Sequence, residues 1–201
     1  MPGPETGLAP VLVLAAGRGT RMGGPKALMM VGVRPWWQVQ RERLTAARVP
    51  TMWVVSAQVR QVLASSIPGI VMATSDSDAP MFASIRAGAQ ALSVHDPLPG
   101  MFVLPVDVPA PGPAVWSMLQ SAGAATVPTH HGNHGHPIYV AWDLVVRHIL
   151  GNDDPSARLD QLIAPNVRYI PVDDPSVMTN LNTPQAVEAW ESSQPHSNPS
   201  A

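Results

Sequence analysis

The sequence predicts an α/β domain built on a doubly wound, Rossmann-like and mostly parallel sheet. Three observations carry that expectation. Short apolar runs alternate with amphipathic stretches from residue 10 to residue 192, which is the rhythm of strand–helix–strand units. The first four apolar runs are continuous rather than alternating, as in strands buried on both faces. The first run stops abruptly in glycines and cations, and in such sheets ligands sit beyond the carboxyl ends of the strands.

In chain order, strands are expected at 10–15, 52–56, 70–74, 101–106, 126–129, 138–141 and 167–172. Helices are expected at 36–47, 59–66, 83–93, 113–122, 144–150, 157–163 and 184–192. Pro113 and Pro184 suit the first helical turn, where no N–H is needed, and Thr183 is a good N-cap for the last helix. From about Ser121 the rhythm shifts. Residues 126–142 read as two strands about the turn His130-His131-Gly132-Asn133-His134-Gly135, so an antiparallel pair is expected at the sheet edge. No internal repeat or long linker divides the chain, and its 201 residues fit one domain. That domain is expected over 9–191, with loose tails at 1–8 and 192–201.

Composition removes several classes of function. A net charge of −2 argues against a nucleic-acid-binding surface. With no cysteine, disulfides, thiolate zinc sites and cysteine nucleophiles are excluded. No basic-then-apolar leader opens the sequence and no apolar run approaches membrane-spanning length, so a soluble, cytoplasmic protein with no membrane partner is expected. His130, His131, His134 and His136 invite a metal reading, but without cysteine or a nearby acid their spacing fits no zinc class.

The informative stretch is 12–26, LVLAAGRGTRMGGPK. Gly17, Gly19, Gly23 and Gly24 follow the first apolar run, with Arg18, Arg21 and Lys26 set among them. Glycine lets the backbone approach a ligand closely, consecutive N–H groups can point at phosphate oxygens, and the cations neutralise charge. Lys26 is the only lysine, against eleven arginines. Since the compact ammonium and the planar guanidinium are not interchangeable around phosphate, its placement reads as a chemical requirement. A glycine-rich turn with solvent-facing cations is the alternative on this stretch alone. Two familiar phosphate loops fail. The P-loop needs Gly-Lys-[Ser/Thr], and Lys26 lies between Pro25 and Ala27; the dinucleotide fingerprint needs a third glycine at Met22 and an acid after the second strand, where Ser56-Ala57-Gln58 stands.

Leu14, Ala15, Ala16, Gly17, Arg21, Met22, Gly23 and Lys26 resemble the opening motif of the nucleotidyltransferase superfamily, L-A-[AG]-G-x-x-x-R-M-G-x-x-K. Further matches run along the chain: Ser84-Ile85-Arg86-Ala87-Gly88 to S-L-x-x-G, Leu104 to Pro109 to L-x-x-D-x-P, Gly135-His136-Pro137 to G-H-P, Ser156-Ala157-Arg158 to G-A-R, and Asn180 to Pro184 to [DN]-x-[DN]-T-P. The combination resembles the MobA-like NTP transferase family, small enzymes that attach a nucleotide to molybdopterin, and implies a nucleotide-diphospho-sugar transferase-like fold.

Nucleotidyl transfer uses a phosphate oxygen that is already ionised, so no serine, cysteine or base is required; positioning and charge stabilisation are the whole problem. Backbone N–H groups from Gly17 to Gly24 can hold the β- and γ-phosphates. The resemblance implies that Arg21 and Lys26 contact the phosphates through the transition state, with Arg18 assisting. Asp107 ends the fourth apolar run, and a hard oxygen there suits Mg²⁺; a helix N-cap is its alternative role. Asn182 matches a family position that supplies a second metal ligand, while Asn180 and Asn182 could equally cap the last helix. The nucleobase is expected over Leu14-Ala15-Ala16, with polar contacts from Ser75 to Ser84 and an acceptor at Asp76 or Asp78; a solvated acidic turn is the plainer reading of either acid. Pro80 departs from the family's Gly-Met by lacking an N–H. His136 is implied to shape the acceptor pocket and Arg158 to meet the acceptor's phosphate, or else to be a surface charge.

The expected activity is Mg²⁺-dependent transfer of NMP from an NTP to a phosphorylated small molecule, molybdopterin favoured, with release of pyrophosphate. CMP is favoured over GMP because Ala15-Ala16-Gly17 resembles the cytidylyl branch, although Asn180-Leu181-Asn182 is nearer the guanylyl branch. A sugar-phosphate acceptor is the alternative within the class. A nucleotide-binding regulatory protein without turnover is the alternative outside it.

Overall fold

The computed structural model describes residues 7–67, 69–95 and 97–194, and of Arg21 only the backbone. In order the chain forms strand β1 (Val11–Ala15), a hairpin of β2 (Met30–Val31) and β3 (Arg34–Pro35), helix α1 (Trp36–Ala46), β4 (Thr51–Val55), α2 (Ala57–Ser66) and β5 (Met72–Thr74). There follow α3 (Met81–Leu92), β6 (Gly100–Pro105), α4 (Pro113–Ala122), β7 (Ala125–His130), β8 (Asn133–His134) and β9 (Ile138–Ala141). The last elements are α5 (Trp142–Leu144), continued by a π-helical stretch Val145–Leu150, then α6 (Leu159–Ile163), β10 (Val167–Pro171) and α7 (Pro184–Ser193).

Among the described residues eight strands form one sheet in the order β10-β7-β9-β6-β1-β4-β5, with β8 against the end of β7. β6, β1, β4 and β5 run parallel, as do β7 and β10, while β9 is antiparallel to both its neighbours. Val11, Leu12 and Val13 are wholly buried because β1 is covered on both faces. Its odd positions join a core with Trp36 of α1, Val59 and Leu63 of α2, and Trp116 of α4. Leu12 joins the opposite core with Ile85 of α3 and Ile149. A period of two along one strand thus feeds two hydrophobic layers.

The fold class is the expected one, mostly parallel α/β with antiparallel strands. The antiparallel pair β7–β9 stands one place inside the expected edge, behind β10. β7 is laid one strand's width from β6, the returning arm β9 fills the gap, and β10 closes the sheet in parallel on the outside. The turn of that hairpin is shorter than expected: His131 and Gly132 alone, at φ 48° and 78°, carry the chain round, the left-handed pair that matches strand twist. The β2–β3 hairpin was not expected from the sequence. Leu8, placed in the expected tail, packs on the core, and the last helix continues through Ser192 to Ser193; residues 1–6 and 195–201 of the expected tails lie outside the described residues. Pro113 and Pro184 occupy first-turn positions, and Thr183 caps α7 by accepting from the Ala186 N–H at 3.1 Å. Among the described residues no helix is long and apolar enough to cross a membrane.

Candidate active site

The loop after β1 is shaped by Gly19. Its φ is +61°, and a Cβ there would stand 2.0 Å from the Gly24 carbonyl oxygen, so only glycine fits. The N–H groups of Met22 and Gly24 donate to the Gly19 carbonyl at 2.8 and 3.2 Å, and that of Gly23 to Thr20 at 3.3 Å. The second half of the loop therefore closes on itself. Gly17, Gly19 and Thr20 face the cavity beyond β1, a shorter stretch than the Gly17–Gly24 span expected to hold phosphate. Arg21 lies in the 3-10 turn Thr20–Met22.

Lys26 opens the next turn and reaches the centre of the site. Its Nζ lies 2.5 Å from Asp107 Oδ2 and also donates to Asn182 Oδ1. Asp107 sits just past the end of β6, beside β1 in the sheet. It does not cap a helix, since α4 starts after Gly112. Its carbonyl oxygen instead accepts from the Leu181 N–H at 2.9 Å, which draws the 180–182 segment to the same place. With Thr183 capping α7, the Asn182 carboxamide is left to the site. Asp107 and Asn182 thus offer two hard oxygens converging on one cation. Mg²⁺ takes one or two protein oxygens and completes its shell with phosphate and water, so this donor set fits it. Among the described residues no group of three or more His, Cys, Asp or Glu is placed to hold a metal ion together.

Two cavities meet at this cluster. The first, of about 380 Å³, is lined by Leu14 and Ala16 of β1 and its exit, by Gly17, Gly19 and Thr20, and across the gap by Asp76 and Ser84. Ala15, expected here, is 2% exposed and its side chain faces the other core, because alternate strand residues point to opposite faces. Arg18 also departs from expectation: it pairs with Asp78 at the surface and lines a separate cavity beside Ser56. Asp76 accepts from the Asp78 N–H at 2.9 Å, so it closes an acidic turn while still facing the first cavity. Ser84 donates to Ser75 Oγ at 2.9 Å, both residues buried. Pro80 stands at the N-cap of α3 with no side-chain cap.

The second cavity, of about 750 Å³, shares Lys26, Asp107 and Asn182 with the first. Its far side carries His136 and Arg158, over an apolar wall that includes Val127 and Ile138. Burial holds the His136 imidazole below its usual range, with the Asp107 carboxylate pulling the other way, so the ring is neutral at neutral pH. Arg158 lines the rim, but its guanidinium is turned to Asp160, with Nε–Oδ1 at 3.1 Å and Nη2–Oδ2 at 2.9 Å. Among the lining residues not expected from the sequence are His134 and Tyr169, whose rings stack at 4.1 Å with planes 13° apart. They come from β8 and β10, on either side of β7, and only the sheet order brings them together.

The MobA-like NTP transferase domain matches residues 11–168. A molybdenum cofactor guanylyltransferase of Sinorhizobium fredii is 27% identical over 202 residues, covering 93% of this chain and 92% of its own. Among solved structures, Rv0371c of Mycobacterium tuberculosis superposes with a TM-score of 0.76 at 19% identity, over 94% of this chain and 100% of that one. A complex of the same protein with manganese superposes at 0.68 and 18% identity, with the same coverage.

Proposed function

The chain belongs to the MobA-like NTP transferase family and is a nucleotidyltransferase, and on that premise we propose that it moves CMP from CTP to the terminal phosphate of molybdopterin, releasing pyrophosphate. The observation that carries this reading is the meeting of two cavities at Lys26, Asp107 and Asn182. The nucleotide takes the smaller cavity, its base against Leu14 and Ala16 near Asp76 and Ser84, its phosphates along Gly17, Gly19 and Thr20. The acceptor takes the larger one, its ring system beyond His136 and its phosphate toward the junction, with Arg158 at the rim.

An ionised oxygen of the acceptor phosphate attacks the α-phosphorus, a new P–O bond forms, and the bond to the bridging oxygen of pyrophosphate breaks with its electron pair. No proton has to move at the nucleophile, so the work of the protein is to hold two polyanions in line. Lys26 and Arg21 neutralise the charge that builds on the α-phosphate and the leaving group. Asp107 and Asn182 would hold a Mg²⁺ ion, whose positive charge offsets that of the phosphates. Neutral His136 adds no cation to the acceptor side.

CTP is preferred to GTP because the Ala16 methyl occupies room at the base end that a glycine would leave open. Transfer of GMP is the second reading, favoured by the guanylyltransferase relative. The test is to follow pyrophosphate with each nucleotide, Mg²⁺ and molybdopterin. Release from CTP only in the presence of molybdopterin is expected. Release from GTP alone would replace the first reading by the second, and tight NTP binding with no release from either would contradict both.

A further inference from the structure

One face of α1 is hydrogen-bonded to the loop that carries Asp107. Trp36, Gln40 and Arg43, spaced i, i+4 and i+7, lie in a row along the helix. Trp36 Nε1 donates to the Val106 carbonyl. Gln40 Nε2 donates to the Val108 carbonyl at 2.7 Å, and Gln40 Oε1 accepts from the Ala110 N–H at 2.9 Å. Arg43 Nε donates to the Ala110 carbonyl at 2.8 Å. On the far side of the same loop the Asp107 carbonyl takes the Leu181 N–H. The loop is therefore clamped from both sides, and the clamp extends through Leu181 to Asn182.

Gln40 is the centre of this arrangement. It is 0% exposed, on a helix whose other buried residues are Trp36, Trp37, Val39 and Leu44. An apolar side chain would fill the position at no desolvation cost, whereas a buried carboxamide is tolerated only when its polar ends are bonded. Both ends are bonded here, and to the two residues flanking Pro109, which has no N–H of its own to fix the loop.

We propose that Gln40 is a positioning residue for the divalent cation: by holding Val108 and Ala110 it fixes the carboxylate of Asp107, and through the Asp107–Leu181 bond the carbonyl of Asn182, at the separation one ion needs. This rests on the reading that Asp107 and Asn182 hold the metal. Outer partners that orient metal ligands tune metal affinity.

The experiment is a titration with Mn²⁺ followed by electron paramagnetic resonance, in the presence of CTP and without acceptor, on the full chain. Gln40→Met keeps the volume and removes both bonds. Its Mn²⁺ affinity is expected to fall by roughly 10–100-fold, its CTP affinity in EDTA to match the parent's, and its lost turnover to return in part at high Mn²⁺. A folded Gln40→Met protein with parental Mn²⁺ affinity would overturn the proposal, as would a CTP affinity in EDTA that falls by the same factor. If Gln40→Met does not fold, Trp36→Phe removes one donor of the row and keeps an aromatic group there; weaker Mn²⁺ binding with parental CTP affinity in EDTA supports the positioning face and unchanged Mn²⁺ binding overturns it. Asp107→Ala sets the reference. Equal Mn²⁺ binding by the parent and Asp107→Ala would remove the metal reading itself, whereas a loss confined to Asp107→Ala removes only the role of Gln40.

Discussion

At the scale of single residues the account rests on three side chains far apart in sequence, Lys26, Asp107 and Asn182, joined at one ammonium. Asp107→Ala is expected to lower pyrophosphate release by roughly 10²–10³-fold or more, while CTP binding measured in EDTA largely survives; unchanged turnover would refute its place in the site. Gly19→Ala places a methyl 2.0 Å from the Gly24 carbonyl at a positive φ. The left-handed backbone alone costs about 1–2 kcal/mol, so a lower melting temperature and weaker CTP binding are expected together, and a variant with parental CTP affinity would contradict the loop's role. Lys26 could be singled out from the sequence because it is the one lysine in a chain with eleven arginines. Ala15 was misplaced beside Leu14 and Ala16 although the strand period alone sends it to the opposite core. Arg18 was misplaced for a different reason: a flexible surface side chain follows its local partner Asp78, and no spacing rule encodes that.

At the scale of elements, the strands were readable because sheet centres buried on both faces leave continuous apolar runs, and α4 and α7 because Pro113, Pro184 and Thr183 mark their starts. The position of β9 was not, since its partners β6 and β7 are chosen by the sheet as a whole and not by the residues between them. Nor was the hydrogen-bonding row on α1, whose glutamine looks like any other helical polar residue until the Asp107 loop lies against it. Helix α3 sits hard on the strands that bear the site: a Cβ at Gly88 would lie 2.7 Å from Leu12 Cδ1 and 2.8 Å from Val54 Cγ2. Gly88→Ala should cost roughly 1–3 kcal/mol of stability by overpacking, read by urea denaturation; a neutral result would mean that α3 can slide on the sheet. At the end of β1, Ala16→Gly is expected to raise GTP use relative to CTP, measured by competing the two nucleotides, and an unchanged ratio would remove Ala16 from base selection.

At the scale of the whole molecule, Asp174 ties two distant parts of the chain together. Its carboxylate accepts from the Gly112 N–H at 2.8 Å ahead of α4, and from the Ser176 N–H and hydroxyl at 3.0 and 2.6 Å. Burial pushes its pKa up, but the bonds from Ser176 and Gly112 and the charge of Arg43 outweigh that, and the net position is below the usual carboxylate value. A depressed folded pKa means that the unfolded chain takes the proton first as the medium is acidified. The stabilisation is therefore complete above about pH 4 and is lost as the pH falls through the folded value. Asp174→Asn should lower the melting temperature at neutral pH and flatten its decline below about pH 4; parallel pH profiles would contradict the linkage. Other long-range ties, from Lys26 to Asp107 and Asn182, join the two cavities, which is why the reaction class could be inferred from the first thirty residues and the shape of the acceptor side could not. The most direct test of the transfer is to supply CTP labelled at the α-phosphate together with Mg²⁺ and molybdopterin. The label is expected to move into a cytosine dinucleotide of the acceptor with unlabelled pyrophosphate released, and not to move in Asp107→Ala; label left in CTP, or freed as CMP, would contradict the account.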